Sequence, residues 1–563
     1  MVLSIKTMIS AVALILFHGH CQNNINSYPC AEAGIPSEPL YYDEQLVDHL
    51  STNITTSNSN RTYWRHRYYA SNKYFHGPGS PIFLIMGGEG EIKPSKGLYY
   101  PFIVEHLAKE FGAHVIQPEH RFYGESQPLG HDFDFTIIDY HQSDLNGSTP
   151  IITTSLMTSE QAMWDAVRLV QKIQADLGCS TNKTHDPHLY CPVITVGGSY
   201  PGFLSAMMRI RHPTVVDMAY AASAPMLFYS QNIKHPSDYY DHITKVAEKS
   251  SKGCSDAVRR TLVNETGPLL TGIQTVEELK KVASSLGICE NTVPRYIIDA
   301  VDTAGSVEDM LLFYEELMMV VGYTFANCNM ANYPPDNTTL LYQACQIFQN
   351  EDLTPEGKIS QFLIGIDRAD NDKATCFNMT AQVPSGNNAT ISSGDWSGVG
   401  TSHDGEMWDF QTCTLLVEQI SFGGISDNST SSMFPKREWT IEWMTNHCEK
   451  RFGVSPKPYQ LVNEWKFNEE ELGNITSKIL FTNGMNDGWS VGGIQHNISD
   501  TILALNFENG AHHSDLSGVG PSDRDTPDIK SGFKQIQSIL KHWLEEDKNT
   551  AFLRHQYSNQ QVS

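Results

Sequence analysis

Cys191-Pro-Val-Ile-Thr-Val-Gly-Gly-Ser199-Tyr-Pro-Gly202 is the stretch whose reading decides the fold. Val193 to Val196 is a short β-branched apolar run, the pattern of a strand covered on both faces. Two glycines and a serine follow, then Pro201 where a helix can begin, and apolar or small residues from Phe203 to Met208. Proline suits a first helical turn because the N–H it lacks would have had no acceptor there. The stretch therefore predicts a strand, a sharp turn and a helix, with a hydroxyl at the apex.

That arrangement is the nucleophile elbow of an α/β-hydrolase, in which the turn exposes the serine oxygen and aims backbone N–H groups at a developing oxyanion. The general pattern is G-x-S-x-G. Here Pro201 takes the last position and glycine comes only at Gly202. Taken alone, the segment also reads as a Gly-Ser turn ahead of a core helix, so residues elsewhere must decide.

Outward from the elbow, the same alternation recurs. Pro81–Met86 reads as a buried strand leading into Gly87-Gly-Glu-Gly90, and Gly112–Arg121 as a second; Thr158–Leu177 has apolar residues at helical spacing behind a Thr158 or Ser159 cap. Met218–Ala222, Lys478–Thr482 and Thr501–Phe507 are further strands, and Asp528–Glu545 a closing helix. Strands alternating with helices imply a parallel sheet with covered faces, so an α/β fold is expected: an α/β-hydrolase core of mostly parallel sheet flanked by helices. Residues 22–75 suggest early antiparallel strands. After about 230 the rhythm turns helical (238–262, 275–287, 294–323, 338–350), with a Ser/Gly/Asn-rich stretch near 384–405. The expected organisation is a signal peptide over 1–21, core over 22–229, an inserted helical cap domain over 230–400, core again over 401–550, and a polar tail over 551–563.

A net charge of −25 over 563 residues, with no basic run, argues against a nucleic-acid partner. Lys6 precedes the apolar run Met8–Phe17, which reads as a cleaved secretory signal, with a membrane anchor as the alternative. No later segment is apolar enough to span a bilayer. Of eleven cysteines, ten remain once Cys21 is set aside with the signal, an even set suited to an oxidising compartment. No C-x-x-C pair exists, so zinc is not expected. Cys179 and Cys191 bracket a polar loop and could bridge. Sequons begin at Asn53, Asn60, Asn146, Asn182, Asn264, Asn337, Asn378, Asn388, Asn428, Asn474 and Asn497, marking surface loops of a glycosylated secretory or lysosomal protein. The acidic balance suits an acidic lumen.

A serine hydroxyl needs a base, and the imidazole that serves as base needs a carboxylate to hold its tautomer. Asp487 and His512 follow two consecutive late strands, in the chain order Ser…Asp…His of the hydrolase fold. Singly, Asn486-Asp487-Gly488 could be only a turn and His512 only a loop histidine. Glu119, His120, Arg121 and Glu125 read as a structural ion-pair network, and His185 and His188 as solvated surface. The glycine loop 87–90 is not a phosphate cradle, because no Lys-Ser/Thr follows it.

Gly197-Gly-Ser-Tyr200, Glu119–Ser126, Thr158-Ser-Glu-Gln-Ala162, Trp408–Cys413, Asn483–Trp489 and Gly510-Ala-His-His513 together resemble the prolyl carboxypeptidase and dipeptidyl peptidase II family of serine exopeptidases, from about residue 35 to 545. The resemblance implies an α/β-hydrolase core with a helical insertion, and cleavage beside proline near a chain end. It places the nucleophile on Ser199, the acid on Asp487 and the base on His512, with His513 as competitor. The oxyanion hole would be the backbone N–H of Tyr200 with one from Gly88 or Glu89. Trp489 and Phe203, with Trp408, would line a flat apolar proline slot, core packing being the plain alternative for the first two. No cofactor is implied; a homodimer is, as relatives commonly form one. Departures are Gly488 where the family usually has proline, Phe203 where methionine is common, and Leu415 where glutamate is usual. They bear on substrate preference. The function expected is a secreted or lysosomal serine exopeptidase cleaving next to proline or a small residue near a chain end through a Ser-Asp-His triad, with Pro-Xaa carboxypeptidase favoured and dipeptidyl aminopeptidase left open. The alternatives are a carboxylic-ester hydrolase on the same fold, or a non-catalytic secreted binding protein.

Overall fold

The computed structural model describes residues 34–50, 62–130, 155–181, 183, 186–271, 273–289, 292–293, 297–298, 301–302, 307–370, 375–377, 379, 403–423 and 432–562. The expected signal peptide lies outside them. The chain divides into two compact units, one built on a sheet and one on helices.

The sheet unit takes in Ala31–Asn232, Lys457–Met485 and Gly492–Ser563. Its strands are β1 (Gly34–Ile35), β2 (Leu40–Leu46), β3 (Tyr63–Ser71), β4 (Ile82–Ile85), β5 (Leu98–Tyr99), β6 (His114–Pro118), β7 (Val193–Gly198), β8 (Met218–Ala222), β9 (Ile479–Gly484) and β10 (Ile502–Phe507). Eight of them form one sheet in the order β10-β9-β8-β7-β4-β6-β3-β2, and β1 pairs with β5 separately. Every pairing from β10 across to β6 is parallel; β3 runs antiparallel to both β6 and β2. The expected mostly parallel α/β sheet is therefore present, with the early strands as its antiparallel edge. Strand β7 lies inside the sheet, between β4 and β8, and all six of its residues are buried. Its β-branched run has two apolar faces to cover, which only an interior strand can do.

Helix α1 (Ser159–Asp176) starts where the capping residue predicts: the Thr158 side chain accepts the Gln161 N–H. Helix α2 (Tyr200–Arg211) follows β7 at once, with Pro201 in its first turn. The C-terminal helix runs Pro527–Val562, through the stretch expected as a polar tail. After Gly532 no glycine or proline occurs to stop it.

The helical unit comprises Ile233–Pro456 and Asn486–Val491 together with the N-terminal residues outside the described set. Two of its helices, α3 (Asp238–Ser250) and α4 (Val307–Met330), supply side chains that meet the Asn486–Val491 segment. The unit reaches past the expected boundary at 400. Helices His403–Thr412 and Ile441–Phe452 belong to it, tied by Cys413–Cys448. Cys254–Cys345 and Cys289–Cys376 close longer loops in this unit, while Cys179–Cys191 forms in the sheet unit as its bracketing of the loop suggested. Cys328 is a buried free thiol, pushed up to about 12 by burial. Among the described residues no helix is long and apolar enough to cross a membrane.

Candidate active site

Ser199 sits at the carboxyl end of β7 with φ 64° and ψ −132°, a left-handed backbone that L side chains rarely adopt. Such strain persists only where surrounding structure enforces it. The Ser199 N–H donates to the Ala222 carbonyl on β8, and the Ser199 carbonyl accepts the Phe203 N–H at the start of α2. Two close approaches explain the flanking glycines. A Cβ at Gly197 would stand 2.1 Å from the Pro201 carbonyl oxygen, and one at Gly202 would stand 2.7 Å from the Ala222 carbonyl oxygen. Gly202 thus fills the role of the pattern's final glycine one residue late, letting helix and strand touch. Ser199 keeps partial exposure between the buried Gly198 and Tyr200.

The loop after β4 lies against this turn. A Cβ at Gly88 would come within 2.7 Å of the Pro201 ring, and one at Gly87 within 2.4 Å of the Pro118 carbonyl oxygen. The loop is anchored by a buried carboxylate: Glu119 Oε1 accepts the Ile92 N–H at 2.9 Å, and Arg67 donates to both Glu119 oxygens and to Glu91. Burial pushes Glu119 up to about 7, with Arg67 pulling the other way.

Tyr200 turns its side chain into the core. Its Oη lies 3.1 Å from both His120 Nε2 and Ser159 Oγ. Burial lowers His120 to about 4, so the ring is neutral; with Nδ1 2.7 Å from the Arg121 carbonyl, Nδ1 carries the proton and Nε2 accepts from Tyr200. What Tyr200 offers toward Ser199 is its backbone, as the first residue of a helix whose leading N–H groups have no intrahelical acceptor. The expected ion-pair network is present around these residues. Arg121 donates to both oxygens of Asp165, which also meets His49, while Glu125 is exposed. Arg67 and Asp165, the partners, carried no sequence signal, since each pairs across more than forty residues.

His512 and His513 follow β10, both buried, with ring centroids 4.4 Å apart. His513 has φ 34° and donates its N–H to Ser223 Oγ at 2.9 Å. Its ring faces the sheet, where a Cβ at Gly198 would meet it at 2.7 Å and Tyr100 packs against it edge-on. Burial and His512 hold His513 well below the usual histidine range. Ser199, the Gly88 loop and the histidine pair therefore all belong to the sheet unit. Close by, Asp515, not singled out by sequence, accepts from Tyr220 Oη at 2.5 Å and is pushed up by burial.

Asp487 and Trp489 belong to the helical unit. Asp487 is fully buried, and its Oδ1 accepts the Trp489 N–H at 3.1 Å. Trp489 is partly exposed, its ring 4.8 Å from that of Tyr239. Asn329, which sequence reasoning missed, holds the peptide groups on both sides of Asp487. Phe203 has no exposed surface: it packs among Tyr200, Tyr229 and Phe467, the core role that sequence left open. Trp408 is buried on the helix His403–Thr412. Beside it, Asp409, Cys413 and His447 group their donor atoms as a metal site would. However, the Cys413 sulfur is bound to Cys448 and His447 is paired with Asp409, which accounts for the group without an ion. The described sequon asparagines Asn264, Asn337, Asn474 and Asn497 are all exposed; Asn53, Asn60, Asn146, Asn182, Asn378, Asn388 and Asn428 lie outside the described residues.

Comparison with known proteins gives one consistent picture. The profile of the serine carboxypeptidase S28 family matches residues 54–536. The lysosomal Pro-X carboxypeptidase of Mus musculus is 27% identical over 485 residues, covering 85% of this chain and 84% of that one. The Homo sapiens protein of the same description is 26% identical over 509 residues (88% and 86%), and the thymus-specific serine protease of Mus musculus 26% over 495 (87% and 86%). Among solved structures, a proline iminopeptidase of Mycobacterium smegmatis aligns over 86% of this chain and 96% of its own at 10% identity, with a TM-score of 0.29, too low to bear on the argument.

Proposed function

Because the chain belongs to the serine carboxypeptidase S28 family, we propose that it is a secretory-pathway exopeptidase that removes the residue following a proline at the carboxyl end of a peptide. Ser199 is the nucleophile, His512 the base and Asp487 the acid that orients it. Ser199 attacks the scissile carbonyl while His512 takes its proton; His512 returns that proton to the leaving amine, and water then releases the acyl group by the same route. The backbone N–H of Tyr200 and one from Gly88 or Glu89 receive the oxyanion. The observation that carries this reading is Ser199 itself, a strained, partly exposed serine at the end of an interior strand, with the Gly88 loop against its turn. The choice of His512 over His513 is supported by the burial of the His513 ring against Gly198 and Tyr100.

The partly exposed Trp489 ring supplies the flat apolar surface for proline. The disulfides fit an oxidising compartment, secreted or lysosomal. The test is incubation with free peptides carrying proline near each end, read by mass spectrometry, with Ser199→Ala as control. Loss of a single residue after a carboxyl-terminal proline is expected, together with fluorophosphonate labelling that the control lacks. Release of amino-terminal dipeptides would reverse the direction. Hydrolysis of a nitrophenyl ester alone would make it an esterase, and no labelling at all would make it a binding protein.

A further inference from the structure

Asp487 lies in a six-residue segment, Asn486–Val491, that leaves β9 and belongs with the helices. No strand ladder holds it there. Asn329 does: it is the penultimate residue of α4 and has no exposed surface. Its Nδ2 donates to the Asn486 carbonyl at 2.7 Å, and its Oδ1 accepts the Gly488 N–H at 2.8 Å. Those two groups belong to the peptide planes immediately before and after the Asp487 Cα. One planar amide therefore restrains both backbone dihedrals of Asp487, and with them the direction in which its carboxylate leaves the chain. Asparagine suits this because it carries one acceptor and one donor group in a single plane. The Trp489 N–H on Asp487 Oδ1 and Lys249 Nζ on Asn486 Oδ1, at 3.2 Å, steady the same loop.

We propose that Asn329 is a positioning residue for catalysis, aiming the Asp487 carboxylate by clamping the peptides on either side of it. This rests on the assignment of Asp487 as the acid of the triad. A triad acid acts only by orienting its imidazole, so a small tilt is felt in turnover more than in substrate binding. The bland reading is that Asn329 merely satisfies two buried backbone groups. It predicts lost stability, with any loss of activity adding independently to damage elsewhere.

The two readings separate in a double-mutant cycle on the full-length protein with a Pro-Xaa peptide. Asn329→Leu keeps the volume and removes both bonds; kcat should fall about 10- to 100-fold with KM within about twofold. Asp487→Asn should cost about 10³- to 10⁴-fold in kcat. In the double variant the Asn329 change should add less than about threefold, because there is no longer an acid to aim. Full multiplication of the two losses, or a wild-type kcat in Asn329→Leu, overturns the proposal. If Asn329→Leu fails to fold, Asn329→Ser carries the same cycle, since it keeps a polar group without adding charge and is too short to bond both peptides. If Asp487→Asn is itself fully active, the acid has been misassigned, and the clamp falls with it for that separate reason.

Discussion

Replacing His114 by leucine should make the protein markedly more resistant to acid. His114 lies on β6, 5% exposed, its ring edge-on to Phe75, and neither ring nitrogen has a hydrogen-bond partner among the described residues. Burial alone lowers it from the ordinary 6.5 to about 4. A depressed histidine binds its proton more readily in the unfolded chain. The stability held by the neutral ring is thus whole above 6.5 and is lost as the pH falls toward 4. At pH 5 the unfolded ring is almost fully protonated and the folded one scarcely, a difference of about 2 kcal/mol; at pH 7.5 the difference is about zero. Leucine fills a similar space without titrating, so whatever it changes in packing should be independent of pH. Urea unfolding of both proteins at pH 7.5 and 5.0 measures the effect. The stability of His114→Leu relative to wild type should rise by about 2 kcal/mol between the two. An equal gap at both pH values would refute the reasoning, meaning that the ring is hydrated or finds a partner. Burial likewise lowers His120 and His212 to about 4, so all three rings oppose folding in acid, against the acidic lumen that overall composition suggested.

Tyr200→Phe removes a hydroxyl hydrogen-bonded to the buried His120 and Ser159; stability should drop by about 1 kcal/mol while kcat stays within a few-fold, and a hundredfold fall would put the hydroxyl in the chemistry. Gly198→Ala places a methyl 2.7 Å from the His513 ring, so the histidine pair must shift; fluorophosphonate labelling should slow by about tenfold or more, and an unchanged rate would free the pair from that contact. Arg67→Ala leaves Glu119 buried without its cation, which should cost about 3–5 kcal/mol in thermal or urea unfolding, with Arg67→Ala/Glu119→Gln recovering part of it; a loss under 1 kcal/mol would mean water replaces the guanidinium.

Much of this molecule is written in stretches of a few residues. The β-branched run into Gly197-Gly-Ser199, the Thr158 cap and the spacing of apolar residues in α1 depend on neighbours in the chain, so reading them locally places β7, α1 and α2 closely. The glycines and Pro201 that permit the elbow are local too, but its positive-φ turn is held against β8, where Ser199 N–H and Gly202 meet the Ala222 carbonyl. Other features depend on which distant segments meet. Arg67 finds Glu119, Arg121 finds Asp165 and Asn329 finds the peptides around Asp487 only after folding has closed long loops, and no pattern in the chain marks such pairs beforehand. The same holds for the helical unit, whose extent past 400 follows from packing and the Cys413–Cys448 bridge rather than from composition. Phe203 and the two adjacent histidines make the point at single residues. The family resemblance nominates them, with chain order adding to the case for His512, but whether a side chain faces solvent or core is a property of the surfaces that enclose it, and those come from elsewhere in the chain.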